Sequence, residues 1–165
     1  HKEYRRQRQM CIRDSSVPSY SIGNMKPNLN ASDMKNLFHA LAKKGLRPTK
    51  QRSFVYGEIL AKRDHPTADE ILIRVRNNLP SISLATVYNC LETLVDCSLV
   101  KQVNMDRSPS RFCPNLTPHA HFKCSESGKI FDLDLNESEI QFLNDLLPKG
   151  FVSSNFDLTF TGTTS

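Results

Sequence analysis

The chain reads His119-Ala120-His121-Phe122-Lys123-Cys124, and alternation along a strand sends His119 and His121 to the same face. Two imidazoles on one face begin a metal site. His65, far upstream in a helical region, Cys113, just before the pair, and Asp132, just after it, supply further nitrogen, sulfur and oxygen donors suited to a divalent transition metal. An ion held by all of these would tie two halves of the chain together.

Composition leaves room for such a fold. With 165 residues, 38% of them hydrophobic and 24% charged, the chain can bury one moderate core or two small ones, and two small domains are expected. No apolar run approaches the roughly 18 residues needed to span a bilayer, and no basic-then-apolar signal opens the chain. A cytoplasmic protein with no membrane partner is expected. The cysteines Cys11, Cys90, Cys97, Cys113 and Cys124 are odd in number and form no CxxC pair, which argues against a disulfide framework and fits a reducing compartment.

The net charge of +5 and pI near 9.0 invite a nucleic-acid reading, so the location of the excess matters. Residues 1–15 hold Lys2, Arg5, Arg6, Arg8 and Arg13 against Glu3 and Asp14, which accounts for +3 and leaves +2 for the rest. This opening has no apolar period and is similar to translated adapter read-through. Residues 1–24 are therefore expected to be a disordered or artefactual extension, with Met25 as the start. The competing reading is a basic arm that contacts phosphates.

Helical signals begin at Ser32, which can cap a helix burying Met34, Leu37, Phe38 and Leu41, with Gly45 as its stop. A second helix is expected from near Thr49 to about Arg63, burying Phe54, Val55 and Ile59. Thr67-Ala68-Asp69-Glu70 is a capping-box pattern that opens a third helix burying Ile71, Leu72 and Val75, closed by Pro80. Ser83 caps a fourth, with Leu84, Val87, Leu91, Leu94 and Val95 inward and Ala85, Thr86, Tyr88, Asn89 and Glu92 more exposed.

Leu99-Val100-Lys101-Gln102-Val103 and Arg111-Phe112-Cys113 flank the turn-rich Asp106-Arg107-Ser108-Pro109, which reads as a hairpin. Helices followed by a hairpin form a winged helix-turn-helix, whose fourth helix would enter the DNA major groove. A small helical domain that touches no DNA would carry the same stripes. Further on, strands at His119–Cys124 and 130–133 precede a helix capped by Asn136-Glu137-Ser138-Glu139 and carrying Ile140, Leu143, Leu146 and Leu147; a last strand is expected over 152–160. A unit of about 50 residues is below the size that usually stands alone, so a partner subunit is expected to complete it. The expected class is thus α+β: a winged-helix DNA-binding domain over 25–104, then a small α/β metal-binding dimerisation domain over 105–165.

Gly45-Leu46-Arg47-Pro48-Thr49-Lys50-Gln51-Arg52, His65-Pro66-Thr67-Ala68-Asp69-Glu70, Ser83-Leu84-Ala85-Thr86-Val87-Tyr88, His119-Ala120-His121-Phe122 and Gly150-Phe151 together resemble the ferric uptake regulator family, in order, over about residues 30 to 165. The resemblance implies a dimeric, metal-activated, winged-helix repressor. Tyr88-Asn89, Leu99-Val100-Lys101 and Ser110-Arg111-Phe112 are similar to its peroxide-sensing branch, whose regulatory metal is held by three histidines and two aspartates. By motif match His65, His119 and His121 fall on the histidines and Asp132 on the second aspartate, while Cys113 stands where the first is expected. A lone histidine is ordinarily a surface or hydrogen-bonded core residue, and His1 and His39, without motif support, are assigned no role.

The substitution bears on the metal. Histidine and carboxylate ligands suit Fe2+ or Mn2+, whereas a thiolate is softer and favours Zn2+ or a more covalent iron site. A ligating Cys113 would be deprotonated by the metal and itself oxidisable; a non-ligating one would be a small buried hydrophobe, leaving three histidines, Asp132 and water. Many relatives hold a structural zinc with two CxxC pairs. Here the first pair reads Cys124-Ser125-Glu126-Ser127 and the end reads Gly162-Thr163-Thr164-Ser165, so no four-cysteine zinc is expected. Asn155-Phe156 replaces a histidine pair of a further site, leaving one regulatory metal per subunit.

In mechanism, an ion bridging the hinge near residues 104–118 fixes the pose of the two reading helices, which a dimer must present about 34 Å apart to an inverted-repeat operator. Thr86, Tyr88 and Asn89 are expected near bases, and Arg47, Lys50, Gln51 and Arg52 mainly on phosphates. Under the peroxide reading, iron-dependent oxidation strikes His65 or His119 and releases the metal, then the DNA. The alternatives are an iron- or zinc-level sensing repressor and a metal-independent DNA-binding module. A small metalloenzyme using Glu126 or Glu139 lacks a nucleophile motif, a Gly-rich loop and a substrate signature, and the chain is not expected to be an enzyme.

Overall fold

A computed structural model describes residues 26–105 and 108–163; the expected extension 1–24, the start at Met25 and the turn residues Asp106 and Arg107 lie outside the described residues. Four helices come first. α1, Ala31–Lys43, starts from Asn30, whose side chain accepts the Asp33 N–H at 2.8 Å, and not from Ser32 as expected. Asn30 is an equally good cap, and the earlier start closes a further backbone bond, Met34 N–H to the Asn30 carbonyl at 3.0 Å. At the other end Gly45 takes φ 68°, and the Leu46 N–H returns to the Leu41 carbonyl at 2.9 Å in a left-handed turn that suits glycine.

α2, Lys50–Ala61, is capped by Thr49 and stops short of Arg63 because Lys62 is already extended. It buries Phe54, Val55 and Ile59 as its pattern requires, and also Ser53, Tyr56 and Gly57, since it packs against both α3 and α4. A Cβ on Gly57 would meet the Asn28 backbone nitrogen at 3.1 Å, so glycine lets the segment before α1 lie directly on this helix. α3, Ala68–Arg76, has the expected capping box: Thr67 Oγ1 accepts the Glu70 N–H, and the Glu70 carboxylate accepts the Thr67 N–H at 2.7 Å. It ends at Arg76, before Pro80, because the N–H groups of Asn78 and Leu79 both turn back on the Val75 carbonyl.

α4, Leu84–Asp96, is capped by Ser83 and turns Val87, Cys90, Leu91 and Leu94 inward. The apolar stripe omitted Cys90, whose thiol packs as a small hydrophobe. β1, Lys101–Val103, and β2, Arg111–Cys113, pair antiparallel with Gln102 opposite Phe112. Leu99 and Val100 are buried ahead of the pairing, so the first strand is shorter than expected. Phe112 enters the helical core.

The second unit is a three-stranded sheet in the order β4-β3-β5, with one helix. β3, His119–Cys124, runs antiparallel to β4, Ile130–Asp134, and parallel to β5, Thr159–Gly162. The last strand is thus later and shorter than 152–160: the Ser153 hydroxyl closes on the Asn155 carbonyl at 2.6 Å, bending the chain, and pairing begins where the Leu158 carbonyl receives the His121 N–H. α5, Glu137–Asp145, has its capping box on Asn136 and Glu139 but buries no residue; Leu146 and Leu147 fall beyond its end. A small cluster of Val103, Met105, Cys113 and Ile130 joins the hairpin to the sheet. Among the described residues no helix is long and apolar enough to cross a membrane.

Candidate metal centre

The seam between the two units gathers all five donors named from the sequence. One ligand atom from each of His65, Cys113, His119, His121 and Asp132 lies within 4.8 Å of every other. Local structure explains why. Alternation along β3 puts His119 and His121 on one face, and the antiparallel register sets Asp132 of β4 directly opposite His121. Cys113 ends the hairpin strand β2, and His65 precedes the α3 capping box with φ 53°, in the left-handed region. Four of the five are buried and Asp132 alone reaches solvent.

The donor atoms converge on one point. His119 Nε2 is 3.0 Å from His121 Nε2 and 3.5 Å from Cys113 Sγ. Asp132 Oδ1 lies 2.8 Å from His65 Nε2, 3.4 Å from His119 Nε2 and 3.6 Å from His121 Nε2. Despite that short approach, neither ring nitrogen of His65 has a hydrogen-bond partner, because the direction to Asp132 is wrong for an N–H donor. Buried imidazole nitrogens left unsatisfied are costly, and lone pairs crowded toward one carboxylate oxygen and a sulfur suit a cation in their midst. The residues fit a divalent transition metal.

Electrostatics point the same way. Burial lowers His65, against the upward pull of Asp132, and lowers His121 to about 4, with His119 and His65 adding to the effect. Burial thus favours the neutral form of both imidazoles, the form that ligates. Burial pushes the Cys113 thiol up to about 11, so a cation that takes its sulfur must displace a proton.

Sequence reasoning missed the residues that orient these donors. His119 Nδ1 sits 2.7 Å from the Thr117 carbonyl; as the N–H donor there, it leaves the Nε2 lone pair for the cluster. Asn115 gives its backbone N–H to Cys113 Sγ at 3.3 Å, its side-chain N–H to Asp132 Oδ2 at 3.5 Å, and accepts from the Thr117 hydroxyl and backbone N–H. Asn115-Leu116-Thr117, an Asx-turn pattern between two donors, was the available signal.

The residues expected to meet DNA lie away from this centre, at the start of α2 and on α4. Arg47, Gln51, Tyr88 and Asn89 are exposed, and Lys50, Arg52 and Thr86 half-buried. Tyr88 is 49% exposed. Lys50 lies over the Phe54 ring, and Arg52 donates to the Arg47 carbonyl at 2.6 Å and to Thr93 Oγ1 at 3.4 Å, so its guanidinium also ties α2 to α4.

The chain is similar to known proteins in sequence and in fold. A sequence profile described as the ferric uptake regulator family matches residues 43–161. The peroxide-responsive repressor PerR of Staphylococcus aureus (strain Mu50 / ATCC 700699) is 36% identical over 110 residues, which cover 65% of this chain and 74% of that protein. Among solved structures, a Campylobacter jejuni peroxide stress regulator superposes with a TM-score of 0.60 at 27% identity, covering 83% of this chain and 98% of the other. The Helicobacter pylori ferric uptake regulator Fur, reported with three functional metal binding sites, gives 0.65 at 22% identity, covering 83% and 94%, and supports the fold alone.

Proposed function

The chain belongs to the ferric uptake regulator family, whose members are metal-responsive transcription repressors, and from that premise we propose a cytoplasmic homodimer that represses an inverted-repeat DNA operator and responds to peroxide. The observation that carries this reading is the cluster of His65, Cys113, His119, His121 and Asp132 at the seam between the helical unit and the sheet. These side chains would hold one Fe2+ or Mn2+ per subunit. Residues 25–104 with the hairpin would read DNA, Thr86, Tyr88 and Asn89 near bases and Arg47, Lys50, Gln51 and Arg52 mainly on phosphates. The rest of 105–165 would dimerise.

When bound, ferrous iron supplies the electrons that reduce hydrogen peroxide. The chain's part is positional. His65 comes from the helical unit and His119, His121 and Asp132 from the sheet, so filling the cluster fixes one unit on the other and with it the spacing of the two α4 helices of a dimer. His65 and His119 border the shared carboxylate oxygen, and loss of either donor would free the units.

Peptide mass spectrometry after anaerobic Fe2+ loading and stoichiometric peroxide tests the reading. One added oxygen on the peptide carrying His65 or His119, absent with Mn2+, is expected, and Asp132→Glu should remove the response. The operator comes from selecting random duplexes with the Mn2+-loaded protein; an inverted repeat whose binding is lost to chelator is expected, and indifference to chelator would favour a metal-independent module. A second reading, a sensor of zinc or iron level, draws on Cys113, whose sulfur lies 3.5 Å from His119 Nε2 where the peroxide branch has a carboxylate. Absence of site-specific, iron-dependent oxidation, with operator binding still lost to chelator, would select it.

A further inference from the structure

The aim of His65 begins with an unusual backbone. Its φ of 53° lies in the left-handed region that side chains rarely adopt, and neither ring nitrogen has a hydrogen bond to steady the imidazole. Pro66 follows it, and a residue before proline is normally pushed to extended conformations. Something must therefore hold the peptide at residue 65 in place.

That hold comes from the hairpin. Arg111 Nη1 donates to the His65 carbonyl at 2.7 Å and reaches Glu70 Oε2 at 3.3 Å, the oxygen that also accepts the Thr67 N–H in the α3 capping box. The Phe112 N–H bonds the Pro66 carbonyl at 3.1 Å, and Thr67 forms a bridge with Arg111. Arg111 is thus seated on both sides, by its own strand and by a carboxylate already fixed at a helix start. In β2 its side chain shares a face with Cys113, while Phe112 between them points into the helical core.

We propose that Arg111 is a positioning residue for the metal centre: its guanidinium holds His65 in the left-handed conformation that aims the imidazole at the other four donors. The inference rests on the reading that the cluster binds a divalent cation with His65 as a ligand. It makes the hairpin part of the metal site twice over, through Cys113 as a donor and through Arg111 as the clamp on a second donor. A shift of the hairpin against α3 then disturbs His65 and Cys113 together, which links the element beside the DNA to the ion.

The test is a double-mutant cycle on the full chain, read as Co2+ affinity by absorption in competition with a chelator, with His65→Ala, Arg111→Ala and the double variant. Arg111→Ala is expected to weaken Co2+ by about 10- to 100-fold, as loss of an orienting partner does. In the His65→Ala background the same change is expected to add less than about twofold. Arg111→Lys, which keeps the charge but not the fork, should lie between, and it runs the same cycle if Arg111→Ala does not fold. Equal losses in both backgrounds would overturn the inference, because Arg111 would then support the fold and not His65. No loss from His65→Ala itself would instead overturn the reading of His65 as a ligand, so the two failures are distinct.

Discussion

Phe54, Ile59, Leu91 and Leu94 of the helical unit are almost wholly enclosed, whereas Phe131, Phe142, Val152 and Phe160 of the sheet unit stand in solvent, Val152 at 94% exposure. The helical unit closes its core within one chain by packing α2 against α3 and α4 and sealing the bottom with Phe112. A three-stranded sheet with one helix cannot do so: α5 buries nothing and the sheet keeps an apolar face open. Exposed apolar surface of this extent marks an interaction face. One unit encloses its core within the chain and the other leaves apolar side chains open, and family members are dimers. The cluster of donors sits where the enclosed unit meets the one whose apolar face is open.

Core truncation should separate the units most sharply. Phe54→Ala is expected to cost about 3–5 kcal/mol by denaturant unfolding, the same at every protein concentration, because the cavity it leaves is internal to one chain. Phe142→Asp should leave the helical unit's unfolding unchanged and weaken self-association by about 2 kcal/mol, seen by sedimentation as dissociation at concentrations where the unaltered protein is dimeric. A concentration-dependent Phe54→Ala effect, or an undisturbed Phe142→Asp dimer, would erase the contrast.

Metal removal comes next in size. Chelation should lower operator affinity by about 5- to 150-fold, and operator should tighten metal binding by the same factor, since the two equilibria share one coupling free energy. Unequal factors would mean that the chelator acts somewhere other than at a site linking the two units.

These contrasts were unevenly legible in the sequence. Caps are local, so Thr49, Thr67, Ser83 and Asn136 all start helices as their side chains suggest. Asn30 and Ser32 are equivalent by type, and the start at Asn30 closes one more backbone bond, from the Met34 N–H to the Asn30 carbonyl. The five clustered donors were visible because their residue types are distinctive and a period of two is a strong constraint on His119 and His121. The left-handed His65 and its clamp were not, for Arg111 and His65 are 46 residues apart and neither type signals the other. The last strand was misplaced because alternation over 152–160 suits a strand equally well throughout, and the register is set by β3.

The smallest expected effect uses a device that occurs in both units. α3 and α5 each carry a full capping box, on Thr67 with Glu70 and on Asn136 with Glu139. Thr67→Ala and Asn136→Ala each leave one helix N–H without its acceptor and should cost about 1 kcal/mol. In α3 that loss falls on a helix with Ala68, Ile71, Leu72 and Val75 in the core, so it should appear in full as a lower unfolding midpoint at any concentration. In α5 no residue is buried within the chain, so the same loss should appear in the monomer only as fraying, read by faster amide exchange at the start of α5. It should reach the unfolding midpoint only where the protein is assembled. Equal shifts in dilute, dissociated protein would show that α5 is already part of a closed core, and the two units would then differ less than their exposed faces imply.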